Sequence, residues 1–334
     1  MAQLAQTEAM QAMTPPAGSR PSTRRACRAR AALLLLLLLL LLLLAAPLAS
    51  AHAPEPATAV PALGWSLEPW VLACLGASLL LYLAGLLRLW RKAGAGRGVG
   101  MRRAASFGAG WLALVLALVS PLDALGGCLF SAHMVQHEVL MILAAPLLVI
   151  GRPLAVWTWA LPAPWRMRTT RLVRQPALAA AWEVLTCAPV AWALHGLALW
   201  AWHLPLFFEA ALRSQAVHSL QHASFLATAL LFWWPPLAGA SRAGHGGSML
   251  YLFTTMVHTG ALGALLTFST VPWYPAYGTA TPALGFDLLE DQRLGGLIMW
   301  VPAGLAYLVV ALVAAARLLQ SETVRAAPGA MPPR

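Results

Sequence analysis

The sequence predicts an all-α integral membrane protein, a bundle of seven transmembrane helices following a cleaved signal peptide. Three observations lead there. Of the 334 residues, 60% are hydrophobic and 10% charged, with a mean hydropathy of +0.71, a composition outside the range of soluble globular domains. Runs of roughly 20 apolar residues, the length that crosses a ~30 Å hydrocarbon core, recur seven times. Basic residues gather in the breaks between these runs, so the net charge of +11 reflects topology and gives no reason to expect a nucleic-acid partner.

Taken in order, the chain opens with Arg24, Arg25, Arg28 and Arg30, then twelve leucines from Leu33 to Leu44, then Pro47 and the small residues Ala49, Ser50 and Ala51. Charged, apolar and small-residue regions in that order make a secretory signal peptide over 1–51. An external segment, 52–66, carries the proline-rich stretch from Pro54 to Pro61. The seven-helix membrane domain occupies 67–316, with spans near 67–89, 104–122, 129–150, 177–202, 216–237, 248–268 and 294–316, and a cytoplasmic tail fills 317–334. Six basic residues lie from Arg88 to Arg103, five from Arg152 to Arg174, one at Arg242 and three from Arg317 onward, whereas the alternate breaks hold only Arg213 and Arg293. The positive-inside rule then places the N-terminus outside and the C-terminus in the cytoplasm, as expected of a multi-pass protein of a bacterial inner (plasma) membrane. Asp123, Glu209, Asp287, Glu290 and Asp291 fall in or near the external breaks. Trp65, Trp90, Trp200 and Trp273 near span ends match the aromatic belts of a bilayer protein.

Ionisable residues are costly inside a bilayer and mark function, and histidines occupy four of the seven spans. The predicted topology puts His133 and His137 in the outer half of span three and His218 and His222 in the outer half of span five. His203 ends span four, His195 lies eight residues or about 12 Å deeper, and His258 is near mid-depth in span six. Both His133/His137 and His218/His222 are spaced i, i+4, which sets each pair of imidazoles on one helix face a turn apart. Two such pairs on separate helices can build one metal cage. Met134, Met141, Met256 and Met299 nearby offer soft thioethers that favour Cu(I), and imidazole-rich sites bind Cu(II) above other divalent first-row metals. Copper is therefore the expected metal and zinc the second choice. Lone membrane histidines such as His195 and His258 ordinarily hydrogen-bond across helices, and methionines ordinarily pack. If the leader is cut after Ala51, His52 becomes an amino-terminal copper chelator.

Other chemistries are excluded or weak. The four cysteines, at 27, 74, 128 and 187, form no close pair, so neither a disulfide framework nor a thiolate zinc site is indicated. Glu138 follows His137 but no second histidine completes HExxH, and no P-loop, nucleotide-binding glycine pattern or GxSxG elbow is present. Glu183, in the inner half of span four, is a candidate for an ion path or an interhelical hydrogen bond. No enzymatic turnover is expected.

Several local sequences carry a resemblance: HMVQHEVLM from His133, APLLVIGRP from Ala145, HSLQHASFLATALLFWWP from His218, MVHTGALGALLTFS from Met256, PWYPAY from Pro272 and DQRLGGLIMW from Asp291. Together they cover roughly 105–315 and closely resemble the polytopic CtaG family of cytochrome c oxidase assembly factors. The resemblance implies a seven-helix protein that matures a haem–copper oxidase, a respiratory-chain enzyme, by supplying copper to its catalytic subunit as a membrane metallochaperone. It also implies that His133, His137, His218 and His222 carry the ligand role and that Asp291 flanks the external mouth. Two readings stand beside this one. A haem-binding redox protein would use one histidine from span three and one from span five as axial ligands. A copper transport or resistance protein would need polar residues through the full depth of the bilayer.

Overall fold

The computed structural model describes residues 64–238 and 244–326, all of whose regular structure is helical. The signal peptide, His52, Arg242 and most of the external segment lie outside the described residues. Helix α1 (Pro69–Ala93) is followed by α2 (Met101–Leu118), the short α3 (Pro121–Gly126), and α4 (Phe130–Glu138), which continues through a π-helical stretch (Val139–Ala144) into α5 (Ala145–Gly151). Then come α6 (Pro153–Ala160), α7 (Ala163–Val173), α8 (Pro176–Leu185), α9 (Ala188–His203), α10 (Pro205–Arg213), α11 (Gln215–Leu237) and α12 (Gly244–Thr267). A 3₁₀ turn (Pro275–Tyr277), α13 (Ala280–Ala283) and α14 (Leu288–Ala326) complete the order. Prolines start α1, α3, α6, α8 and α10, where the missing N–H is an orphan in any case and φ is already helical.

Among the described residues, five helices are long and apolar enough to cross a membrane, and the pair α8/α9, bent by 63°, makes a sixth if it is one span. The sequence predicts seven. The seventh segment is α11, 23 residues long, but Gln215, His218, Ser219, Gln221, His222 and Ser224 leave its first half too polar to qualify. The residues that dilute it are those that build the site below. The bend of α8/α9 falls at Thr186–Cys187, where Pro189 in the first turn of α9 cannot extend the preceding helix. Large apolar side chains such as Leu80, Leu197 and Phe268 are 68%, 67% and 72% exposed, a surface suited to lipid.

The π-helical stretch has a local cause. Pro146 has no N–H to give the Ile142 carbonyl, and its ring would clash with that carbonyl in a straight helix. One extra residue per turn avoids the clash. The Met141 carbonyl accepts instead from the Trp233 indole at 2.8 Å, tying α11 to the stretch just below His137. On the far side, α12 and α14 approach closely through glycines: a Cβ on Gly263 would stand 2.8 Å from the Gly296 carbonyl oxygen, the small-residue packing of membrane helices.

The connectors segregate by charge. Tyr277 donates to the Gly126 carbonyl at 2.8 Å, Tyr274 to the His203 carbonyl at 2.8 Å and Thr281 to the Cys128 carbonyl at 2.9 Å, which binds the loops after α2, α9 and α12 into one end of the bundle. That end holds Asp123 and Asp291. At the other end Arg88 donates to the Ala160 carbonyl, joining the two arginine-rich connectors.

Candidate metal centre

Helix α4 brings in His133 and His137 and α11 brings in His218 and His222, each pair a turn apart as its spacing requires. Their ring centroids lie 4.4 Å (His133–His137), 4.1 Å (His218–His222), 5.2 Å (His133–His218), 5.3 Å (His137–His222) and 5.8 Å (His133–His222) apart. His133, His137 and His222 are buried. One ligand atom from each of these three lies within 4.8 Å of the others. Bonds of about 2.0 Å to a shared ion place the nitrogens of a trigonal or tetrahedral set ~3.3–3.5 Å apart, so at most about 1.5 Å of closure would complete the triad.

The donor set fits a metal. Both ring nitrogens of His137 and the Nε2 atoms of His203, His218 and His222 are buried with no hydrogen-bond partner among the described residues. Leaving such groups unpaired is costly, and a cation supplies what they lack. His133 is held differently. Its Nδ1 lies 3.2 Å from the Gly126 carbonyl and 3.3 Å from the Tyr277 hydroxyl, which itself donates to that carbonyl. An Nδ1 proton donated to Gly126 leaves the Nε2 lone pair for a ligand, the usual way an outer partner fixes a ligating imidazole. Replacing Tyr277 by Phe is expected to weaken copper binding about tenfold, the lower end of the effect of losing such a partner, with stoichiometry unchanged in a competition titration. Unaltered affinity would show that Tyr277 does not position His133.

The remaining expected residues divide. His203 approaches His137 at 6.1 Å between centroids and places its Nδ1 2.7 Å from the Leu199 carbonyl, leaving Nε2 buried without a partner among the described residues. His195 and His258 stay apart. His195 lies 3.3 Å from the Thr228 hydroxyl and against Phe232, while His258 meets Trp192 edge-on at 5.4 Å and rests over Gly196. Met134 is fully buried in the apolar cluster of Phe130, Phe208, Leu262 and Met299. Asp291 is 2% exposed and caps α4, accepting from the Phe130 amide at 2.7 Å, the Ser131 amide at 3.2 Å and the Ser131 hydroxyl. It anchors the histidine helix and does not stand at an open mouth. Glu183 is exposed.

Three further polar residues join the cluster, of which the sequence marks only Asp123, and that only as an external charge. Gln136 donates to the Asp123 carboxylate and the Ala117 carbonyl, both at 2.7 Å, and the Gln221 side-chain amide lies 3.3 Å from His133 Nε2, where turning the amide over lets its NH2 donate to that lone pair until a ligand takes it. The signal for the glutamines lies in the shared spacing His-x-x-Gln-His of HMVQH and HSLQH.

A sequence model of the cytochrome c oxidase caa3 assembly factor family (Caa3_CtaG) matches residues 80–321. Two curated proteins, an uncharacterized protein of Mycobacterium bovis and one of Mycobacterium tuberculosis, are each 26% identical over 238 residues, covering 66% of this chain and 34% of the relative. The chain thus spans about a third of the length of the curated relatives it matches. No solved structure matches it.

Proposed function

Because the chain belongs to the cytochrome c oxidase caa3 assembly factor family, we propose that it holds copper on its histidine cluster and passes it to the oxidase catalytic subunit in the membrane. The observation that carries this reading is the buried triad His133, His137 and His222, whose ligand atoms converge while nitrogens of His137 and His222 have no protein partner among the described residues. Three imidazoles without a carboxylate suit copper, which among divalent first-row ions such sites bind more tightly than zinc. The cluster lies at the end of the bundle opposite the arginine-rich connectors. By the positive-inside rule that end faces away from the cytoplasm, the side from which a metal would enter. Imidazoles in mutual contact converge on a point and leave no flat slot between them, which favours a single ion over haem.

Metal and pigment content of the detergent-purified protein tests the reading. Wild type is expected to keep close to one copper per chain through dialysis against a mild chelator, and His133→Ala/His137→Ala to lose it. A strain carrying that double variant should lose oxidase activity and regain it in copper-supplemented medium. A Soret band would move the assignment to haem, and neither metal nor pigment would reduce the histidines to packing residues.

A further inference from the structure

Resting on that copper reading, we infer a second cation site, formed by Asp123, His218 and His222, that receives divalent copper and hands it to the buried triad. One ligand atom from each of these three residues also lies within 4.8 Å of the others. Asp123 stands on α3 and the histidines on α11, so two elements converge as in a built site. The Nε2 atoms of His218 and His222 are buried without a hydrogen-bond partner among the described residues, and Gln136 fixes the carboxylate from α4 at 2.7 Å.

The cavity orders the two sites. A cavity of about 290 Å³ lies between α1, α2 and α11, and Asp123, His218 and His222 line it while His133 and His137 do not. Ser66, Glu68, Gln215 and Ser219 also line it near the loop end. The rest of its wall is mostly apolar, so an ion enters only at the loop end, where it meets Asp123, His218 and His222 first and reaches His133 and His137, which do not line the cavity, only afterwards. Ligand chemistry agrees: a carboxylate with two imidazoles prefers a divalent ion, whereas three imidazoles also accept Cu(I). His222 belongs to both groups. An ion can exchange Asp123 and His218 for His133 and His137 without ever leaving His222, and because one imidazole serves both sites, they fill alternately with one ion per chain.

The test uses full-length protein in detergent, titrated with Cu²⁺ and read by electron paramagnetic resonance, each variant first checked for helical content and monodisperse elution. Wild type should take up one Cu²⁺ with nitrogen-dominated hyperfine coupling. His133→Ala/His137→Ala should still bind one Cu²⁺, at least tenfold more weakly and with mixed nitrogen and oxygen ligation, and adding Asp123→Asn should abolish that residual binding. Asp123→Asn keeps an acceptor for Gln136, so alone it should leave the final stoichiometry intact while slowing stopped-flow loading about tenfold. If the double variant binds no Cu²⁺, or if Asp123→Asn changes neither its residual binding nor the loading rate, the second site is overturned and the triad stands. If wild type binds no Cu²⁺, both fall.

Discussion

Replacing His222 by Ala is expected to remove every form of copper binding at once, the largest single-residue effect in the molecule. His133 and His137 serve only the buried triad and His218 only the carboxylate site, but His222 offers a ligand atom to both. Its loss should therefore exceed the roughly 10–100-fold drop in affinity that follows loss of an outer-shell partner. Apo stability should move much less. Truncating a buried side chain costs packing, but here it also removes an imidazole nitrogen that is buried without a protein partner among the described residues, a group whose desolvation costs about 1–3 kcal/mol. The two terms oppose each other. Binding stabilises the folded state by about 2.7 kcal/mol at free copper 100 times Kd, which raises the melting temperature of wild type by about 4 °C for a chain of this length. Thermal unfolding with and without copper is the check: His222→Ala should melt near apo wild type and show no copper-dependent rise. A retained rise would mean that copper sits elsewhere.

The depth of the histidines is legible in the sequence, because an i, i+4 pair near the start of a span can only lie on one face near one end. Six of the expected segments reappear as helices with ends within about four residues, one of them as the bent pair α8/α9, while α14 (Leu288–Ala326) overruns its segment at both ends. Harder to read is how polar one of them can be. The half of α11 that carries His218, Gln221 and His222 is buried against α4, so those side chains face other protein and need not avoid lipid. A hydropathy average cannot see that difference. The π-helical stretch at Val139–Ala144 turns on one residue, Pro146, and the break in α8/α9 on another, Pro189, local punctuation that a count of apolar residues passes over. Asp123 and Asp291 carry the same charge in the same loop end, but one faces the cavity beside His218 and the other is sealed under α4. Only the tertiary fold separates them, one beside the histidines of the proposed second site and the other an anchor of α4. Met134 shows the same limit: it adjoins His133 in sequence, and helical rotation turns it into the apolar cluster.

Asp291→Ala should lower both the stability of the apo protein and its hold on copper, a signature distinct from that of His222→Ala. The Asp291 carboxylate accepts from the Phe130 amide, the Ser131 amide and the Ser131 hydroxyl, groups at the exposed-donor end of a helix that no intrahelical partner can satisfy. All are buried under the loop end, so water does not replace the carboxylate freely. An unsatisfied buried donor costs about 1–3 kcal/mol, and the charge of Asp291 also complements the positive end of α4. Loss of several kcal/mol follows, a large part of the ~5–15 kcal/mol that holds a folded protein together. The effect reaches the metal because His133 and His137 stand roughly one and two turns beyond the anchored residues on the same helix. A frayed first turn lets both imidazoles swing, and the triad has little tolerance when closure of at most about 1.5 Å decides coordination. Asp291→Asn keeps one carbonyl oxygen and the side-chain shape, so it should recover part of both properties, with serine and phenylalanine amides competing for that single acceptor. Thermal unfolding of apo protein and a copper titration on the same samples read the two effects together. Copper affinity falling with an unchanged apo melting temperature would put Asp291 among the ligands, and an apo melting temperature falling with unchanged affinity would uncouple the start of α4 from the site.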